Sequence, residues 1–368
     1  MIELPGWPIA DGRETELLQE VLRSPQWGGF NPLVGKFEDA FAAYQGASFG
    51  ISAVNGTVTL EMMLACAGIG PGDEVIVPAI SFVSTASAVT RVGAVPVFVD
   101  IEPYSFNMCP AAARAAAGPR TRALLAVHFG GSMADVDALG ALCAEKGLLF
   151  FEDAAHAHGS EWKGKRAGSF GLASSFSFQN GKILTAGEGG MVLTSDEELA
   201  GKLRSYANQG RRPGYSFFHH FEAGNNYRLS ALHAAVLTAG LERLDGQIEK
   251  RARNWEVFRG EVGEEIRWQS IPGAVNRNSW YLVLGRVVGG DRNGFCKRVQ
   301  AEGIPCTPFY PHPLYGNPMY GEGGAACRVE ACPNTEVCIG DAFWIGFRAL
   351  MGDAETTRRV ARAVRAAI

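Results

Sequence analysis

Two short runs hold the residues of this chain whose types and spacing bear on chemistry. Leu148-Leu-Phe-Phe-Glu152-Asp153 is four apolar residues closed by two carboxylates, the pattern of a strand buried on both faces with acid at its exit. Ser174-Ser-Phe-Ser177-Phe-Gln-Asn-Gly-Lys182 reads as a short strand ending on a lysine. The Gly-rich turn Thr185-Ala-Gly-Glu-Gly-Gly190 and another apolar strand follow. A carboxylate at one strand end and a lysine at another are what pyridoxal phosphate (PLP) chemistry requires. The amine forms a Schiff base, and the carboxylate keeps the pyridine nitrogen protonated so that the ring withdraws electrons. Adjacent strand residues point to opposite faces, so Glu152 and Asp153 cannot share that task. Asp and Lys are also ordinary strand-end residues, and spacing alone leaves that plainer reading standing.

The elements that would position these groups alternate between strand and helix. Strand patterns run from Phe49, from Glu74, over Val95 to Asp100 and over Ala123 to Gly130. Helical patterns fall over Asp11 to Leu22, Gly35 to Tyr44, Thr57 to Cys66 and Ala134 to Lys146. Alternation of this kind implies a parallel sheet with right-handed crossovers and ligands gathered at the C-terminal strand ends. Asn55, Phe82, His128 and Asp153 all fall at such ends. Asn55-Gly56-Thr57 opens a helix, where the first N–H groups lack partners and glycine lets a phosphate approach closely. Helices continue over Asp196 to Asn208 and Ala231 to Leu244. Past Asp245 the pattern changes to a charged helix, short strands, a Pro-rich stretch around Tyr310 and His312, and a terminal helix. The expectation is an α/β fold of two units, residues 1–245 and 246–368.

With 368 residues the chain is long enough for two such units, and 47% hydrophobic against 20% charged residues is a globular composition. A net charge of -4 gives no electrostatic reason to expect nucleic acid or an acidic membrane surface as partner. No signal-like or membrane-spanning run is present, so a cytoplasmic location is expected. The eight cysteines form no CxxC pair, and Cys327, Cys332 and Cys338 are wrongly spaced for zinc, as His219-His220 is without a third ligand. Free thiols and no metal are the expectation.

Asp153-Ala-Ala-His-Ala-His-Gly, Phe176-Ser-Phe-Gln-Asn-Gly-Lys182 and Thr185-Ala-Gly-Glu-Gly-Gly190 resemble the signature of the DegT-type sugar aminotransferases, PLP enzymes with the aspartate aminotransferase fold. The branch most similar holds the aminohydroxybenzoate synthases and scyllo-inosose aminotransferases, in which His follows Asp-Ala-Ala. The resemblance spans nearly the whole chain and is strongest from Asn55 to Leu232. It implies Lys182 as the Schiff-base lysine and Asp153 as partner of the ring nitrogen. It further implies Gly56, Thr57 and Ser177 at the phosphate, Phe82 stacked on one ring face, and His156 beside the ring's oxygen or other face. Asn226 would reach the phosphate of a neighbouring subunit, which makes a homodimer the working unit, although Asn225 lies one residue away from the same register. Trp27, Arg228, Tyr310 and His312 are candidate substrate contacts; for each, a role in packing or pairing remains an alternative. The implied reaction moves an amino group from glutamine or glutamate to a keto-sugar or keto-cyclitol. Two alternatives stand beside it: dehydration and aromatisation of an aminodehydroshikimate, and a non-catalytic PLP-binding regulator.

Overall fold

The computed structural model describes residues 1–368. Its centre is an eight-stranded sheet in the order Phe49–Ala53, Gly190–Thr194, Ala173–Ser177, Leu149–Asp153, Thr121–Val127, Glu74–Pro78, Val95–Val99 and Arg328–Val329. All neighbours pair in parallel except Gly190–Thr194, which runs antiparallel to both strands beside it. The apolar runs seen in the sequence follow from burial of both faces. Ile76, Leu124 and Phe150 join one apolar core, while Val75, Val77, Leu125 and Phe151 join the other. The first core is completed by the helices Gly12–Arg23, Pro32–Gln45, Val136–Lys146 and Ala231–Glu242. The second is completed by Gly56–Cys66, Ser84–Arg91 and Glu197–Ala207. Asp11 caps the first helix in a capping box with Glu14, as its position before the apolar stripe implies.

A smaller antiparallel sheet, ordered Arg267–Trp268, Leu282–Arg286, Ala342–Gly346 and Cys306–Pro308, forms the second unit. Helices Leu244–Val262, Arg292–Ala301 and Ala354–Ala366 bury its apolar side. Two segments cross between units. Ile2 packs with the small unit, its amide donating to the Glu302 carbonyl. The stretch containing Leu314, Tyr320 and Cys332 lies against the large sheet, and Arg328 pairs in register with Val97 at its edge. That stretch belongs by sequence to 246–368 and by packing to the large sheet. No helix is long and apolar enough to cross a membrane. All eight cysteines are free.

Candidate active site

The site sits where the sheet's C-terminal ends meet the small unit. Asp153 closes its strand with its side chain on the same face as Phe151, and it is almost fully buried. Thr85 Oγ1 donates to Asp153 Oδ2 at 2.7 Å, and the Ala155 amide approaches Oδ1 at 3.3 Å. Burial pushes the Asp153 pKa up, with Thr85, Ala155, Lys182 and His128 pulling against it. Glu152 points to the opposite face. It accepts from His128 Nε2 at 2.9 Å and from the amides of Gly168, Phe170 and Gly171, each at 2.8 Å. Burial raises its pKa, but these donors outweigh burial and leave it lowered. The Ala134 amide donates to His128 Nδ1, so the His128 proton sits on Nε2, facing Glu152.

Lys182 lies beyond the strand end that its spacing suggested. The strand stops at Ser177, and Lys182 follows a tight turn in which Gln179 accepts twice, from the Gly181 amide on Oε1 and from the Lys182 amide on its carbonyl. The excursion from Phe178 to Gly189 is the connection between two antiparallel strands, closed by the Ser177–Gly190 pair. Lys182 Nζ rests 4.7 Å from the centre of the Tyr281 ring. Burial lowers its pKa to about 8, with the Asp153 charge pulling the other way.

Opposite stands the start of helix Gly56–Cys66, capped by Asn55 Oδ1 accepting from the Val58 amide. A Cβ on Gly56 would lie 2.7 Å from Ser177 Cβ, and one on Gly190 only 2.5 Å from the Asn55 carbonyl carbon. These two glycines therefore let the helix start seat against the strand carrying Ser177. Thr57 Oγ1 and Ser84 Oγ share a 2.7 Å hydrogen bond. His156, buried, accepts on Nδ1 from the Gly130 amide and packs on Tyr281 with ring centres 4.4 Å apart and planes tilted by 35°. Burial and nearby Lys182 hold its pKa well below the ordinary histidine value.

Together these groups enclose a cavity of about 620 Å³. Of the residues singled out in the sequence, Asn55, Gly56, Thr57, Phe82, Asp153, His156, Ser177, Lys182 and Tyr310 line it, whereas His128 does not. Trp27, Arg228, His312 and Asn226 do not line it in the single chain. Trp27 is half exposed, its indole N–H donating to the Ser24 carbonyl. Arg228 donates to Asn208 and Gln209 and borders a separate 130 Å³ cavity. His312 bonds the Pro313 carbonyl, and Asn226 is exposed on a loop bridged to Asn208. Sequence reasoning passed over Ser81, Gln179, Glu188, Tyr281 and Trp344 in the cavity wall and Thr85 behind it. The pair Ser81 and Thr85, four apart around a strand-to-helix turn, was a usable signal. Tyr281 and Trp344 had none, because the small unit brings them in from far along the chain.

A lysine amine and a buried carboxylate lining one cavity, with a glycine-cradled helix start beside them at the edge of a mainly parallel sheet, define a PLP-dependent enzyme. The chain belongs to the DegT/DnrJ/EryC1/StrS aminotransferase family, whose profile matches residues 8–365. It is 39% identical over 365 residues to the 3-amino-5-hydroxybenzoate synthase of Amycolatopsis mediterranei (strain S699), covering 95% of this chain and 93% of that protein. It is likewise 39% identical over 338 residues to an L-glutamine:2-deoxy-scyllo-inosose aminotransferase of Streptomyces lividus, covering 86% and 80%. A crystal structure of 3-amino-5-hydroxybenzoic acid synthase superimposes with a TM-score of 0.94 at 36% identity, covering 99% of this chain and 98% of that one. The chain is accordingly an enzyme of transaminase type with PLP as cofactor.

The residues fit that group. Gly56 lets the helix start seat against Ser177, so that both line one cavity, the helix start would offer N–H donors to a phosphate, and Asp153 would offer a buried carboxylate to a ring nitrogen. Bound there, PLP supplies an aldehyde for amines and a protonatable ring that draws electrons from a substrate carbon. The chain's own part is proton handling and orientation. Lys182, with its pKa near 8, holds or releases a proton at Nζ close to neutrality. Asp153 would face the ring nitrogen from the cavity floor, and Tyr281 packs against both Lys182 and His156.

Proposed function

We propose that this enzyme transfers an amino group from glutamine or glutamate to the keto group of a cyclitol or sugar, acting as a homodimer with shared sites. The observation that carries the reading is one cavity lined by Lys182 and Asp153 together with Gln179, Glu188 and Tyr310. The last three present amide, carboxylate and phenol groups suited to ring hydroxyls. In this reading Gly56, Thr57 and Ser177 hold the phosphate, with Phe82 and His156 toward the ring. Asn226 from a second copy completes the phosphate site. Support for a second copy comes from exposed aromatic surface. Phe82 is 61% exposed, and the loop holding Tyr215, Phe217 and Phe218 shows these rings to solvent. Trp27 lies close to Arg228, since the Ala231 amide donates to the Trp27 carbonyl. We assign the protein to the cytoplasm, where eight free thiols are stable.

The high coverage by 3-amino-5-hydroxybenzoate synthase supports a second reading, dehydration and aromatisation of an aminodehydroshikimate. Purified enzyme tested against inososes, keto-sugars and dehydroshikimates separates the two. Transfer is expected to need glutamine or glutamate and a keto-cyclitol or keto-sugar. Turnover of an aminodehydroshikimate alone, with no amino donor present, would replace the first reading with the second.

A further inference from the structure

One turn of chain, Ser81 to Thr85, touches both ends of the cofactor site. Ser84 Oγ meets Thr57 Oγ1 at the helix start, and Thr85 Oγ1 donates to Asp153 Oδ2 on the cavity floor, each at 2.7 Å. Ser81 Oγ lies 2.7 Å from Thr85 Oγ1. Thr85 is fully buried, and Ser81 is 4% exposed and lines the cavity. A hydroxyl carries a single proton. Thr85 gives its proton to the carboxylate and must therefore accept from Ser81, so the chain of donors runs Ser81 to Thr85 to Asp153. This commits Oδ2 to the protein. Oδ1, met only by the long 3.3 Å contact from Ala155, keeps its capacity for another donor.

We propose that Thr85, backed by Ser81, is a positioning residue that keeps Asp153 ionised and presents Oδ1, not Oδ2, to the ring nitrogen of the cofactor. The proposal rests on the reading of Asp153 as the ring-nitrogen partner. Its physical basis is that a donor to the charged form of an acid favours that form, while burial opposes it. Thr85 is the largest of the influences opposing burial at Asp153. The other titratable groups near Asp153 are Lys182, whose positive charge favours the carboxylate, and Tyr310, whose phenol is kept neutral first by burial and further by the Tyr281 and Asp153 groups; His128 lies on the opposite face with its Nε2 at Glu152. His156, held neutral by burial, lines the same cavity. None of these four side chains hydrogen-bonds to the Asp153 carboxylate as Thr85 does.

The test compares Thr85→Val, which keeps shape and loses the hydroxyl, with Thr85→Ser, which keeps the hydroxyl, and with Asp153→Asn as reference. The measurements are the PLP dissociation constant of each apoprotein, the pH titration of the bound cofactor's absorbance, and kcat and KM. Loss of one hydrogen bond to a charged group predicts a fall in kcat of about tenfold or more for Thr85→Val, with KM changed far less. Because the Asp153 pKa rises when its donor is lost, the acid limb of the rate profile and the absorbance transition should both move to higher pH. Thr85→Ser should restore both. Wild-type kcat and an unshifted titration in Thr85→Val, with Asp153→Asn nearly inactive, would overturn the proposal and leave the reading of Asp153 intact. Full turnover in Asp153→Asn would overturn both. Should Thr85→Val fail to fold, Ser81→Ala carries the test: a smaller shift in the same direction is expected, and no shift contradicts the relay.

Discussion

At the scale of the residue, the account turns on the amine of Lys182. Its pKa near 8 arises first from burial, which disfavours the charged form, and the Asp153 carboxylate offsets part of that effect. Only the neutral amine attacks an aldehyde. The rate at which apoprotein captures PLP should therefore rise with pH through about 8 and level off above it. Removing the nearby negative charge in Asp153→Asn should move that inflection to lower pH. Stopped-flow absorbance measures both. A capture rate that is flat with pH would mean that the amine is not held as described. These two residues stood out in the sequence at or just past the ends of short runs, but their roles came from the resemblance of the motifs around them to the sugar aminotransferases, since strand-end Asp and Lys are ordinary. Thr85 and Tyr281 did not stand out, since their roles come from neighbours 68 and 99 positions away along the chain.

At the scale of the element, the strand Leu149–Asp153 separates two tasks by the alternation of its side chains. Asp153 serves the cavity, and Glu152 fastens the opposite face to the turn at Gly168 to Gly171 and to His128. Glu152→Ala would leave a buried histidine N–H, the buried Gly168 amide and the part-buried amides of Phe170 and Gly171 without an acceptor. A loss of about 3–5 kcal/mol in denaturant unfolding of the apoprotein is expected, because several buried or part-buried donors lose their acceptor at about 1–3 kcal/mol each. Glu152→Gln, which keeps an acceptor oxygen, should lose less. A loss below about 1 kcal/mol for Glu152→Ala would show that this network does not fasten the strand. The strands and most helices of the large sheet were readable from periodicity. The antiparallel direction of Gly190–Thr194 was not, because an apolar run carries no sign of its direction. Nor was the two-residue strand Arg328–Val329, which is defined by its partner Val95–Val99 and not by its own pattern.

At the scale of the whole molecule, the large sheet supplies the cavity floor and the small unit supplies Tyr281, Tyr310 and Trp344 to its wall. Asn226 lies outside its own chain's cavity. The shared-site proposal therefore predicts that mixing inactive Asn226→Ala and Lys182→Ala proteins, after verified subunit exchange, regenerates activity. One site of the mixed dimer would then carry neither lesion. Activity no higher than that of the separate variants would place Asn226 in the service of its own subunit. The central claim, that Lys182 carries the cofactor, has a more direct test. Borohydride reduction of the holoenzyme followed by peptide mapping should place the pyridoxyl label on Lys182. Label on Lys163, whose amine pairs with Asp137 at 2.6 Å in a surface turn, or on Lys165 nearby, would contradict it.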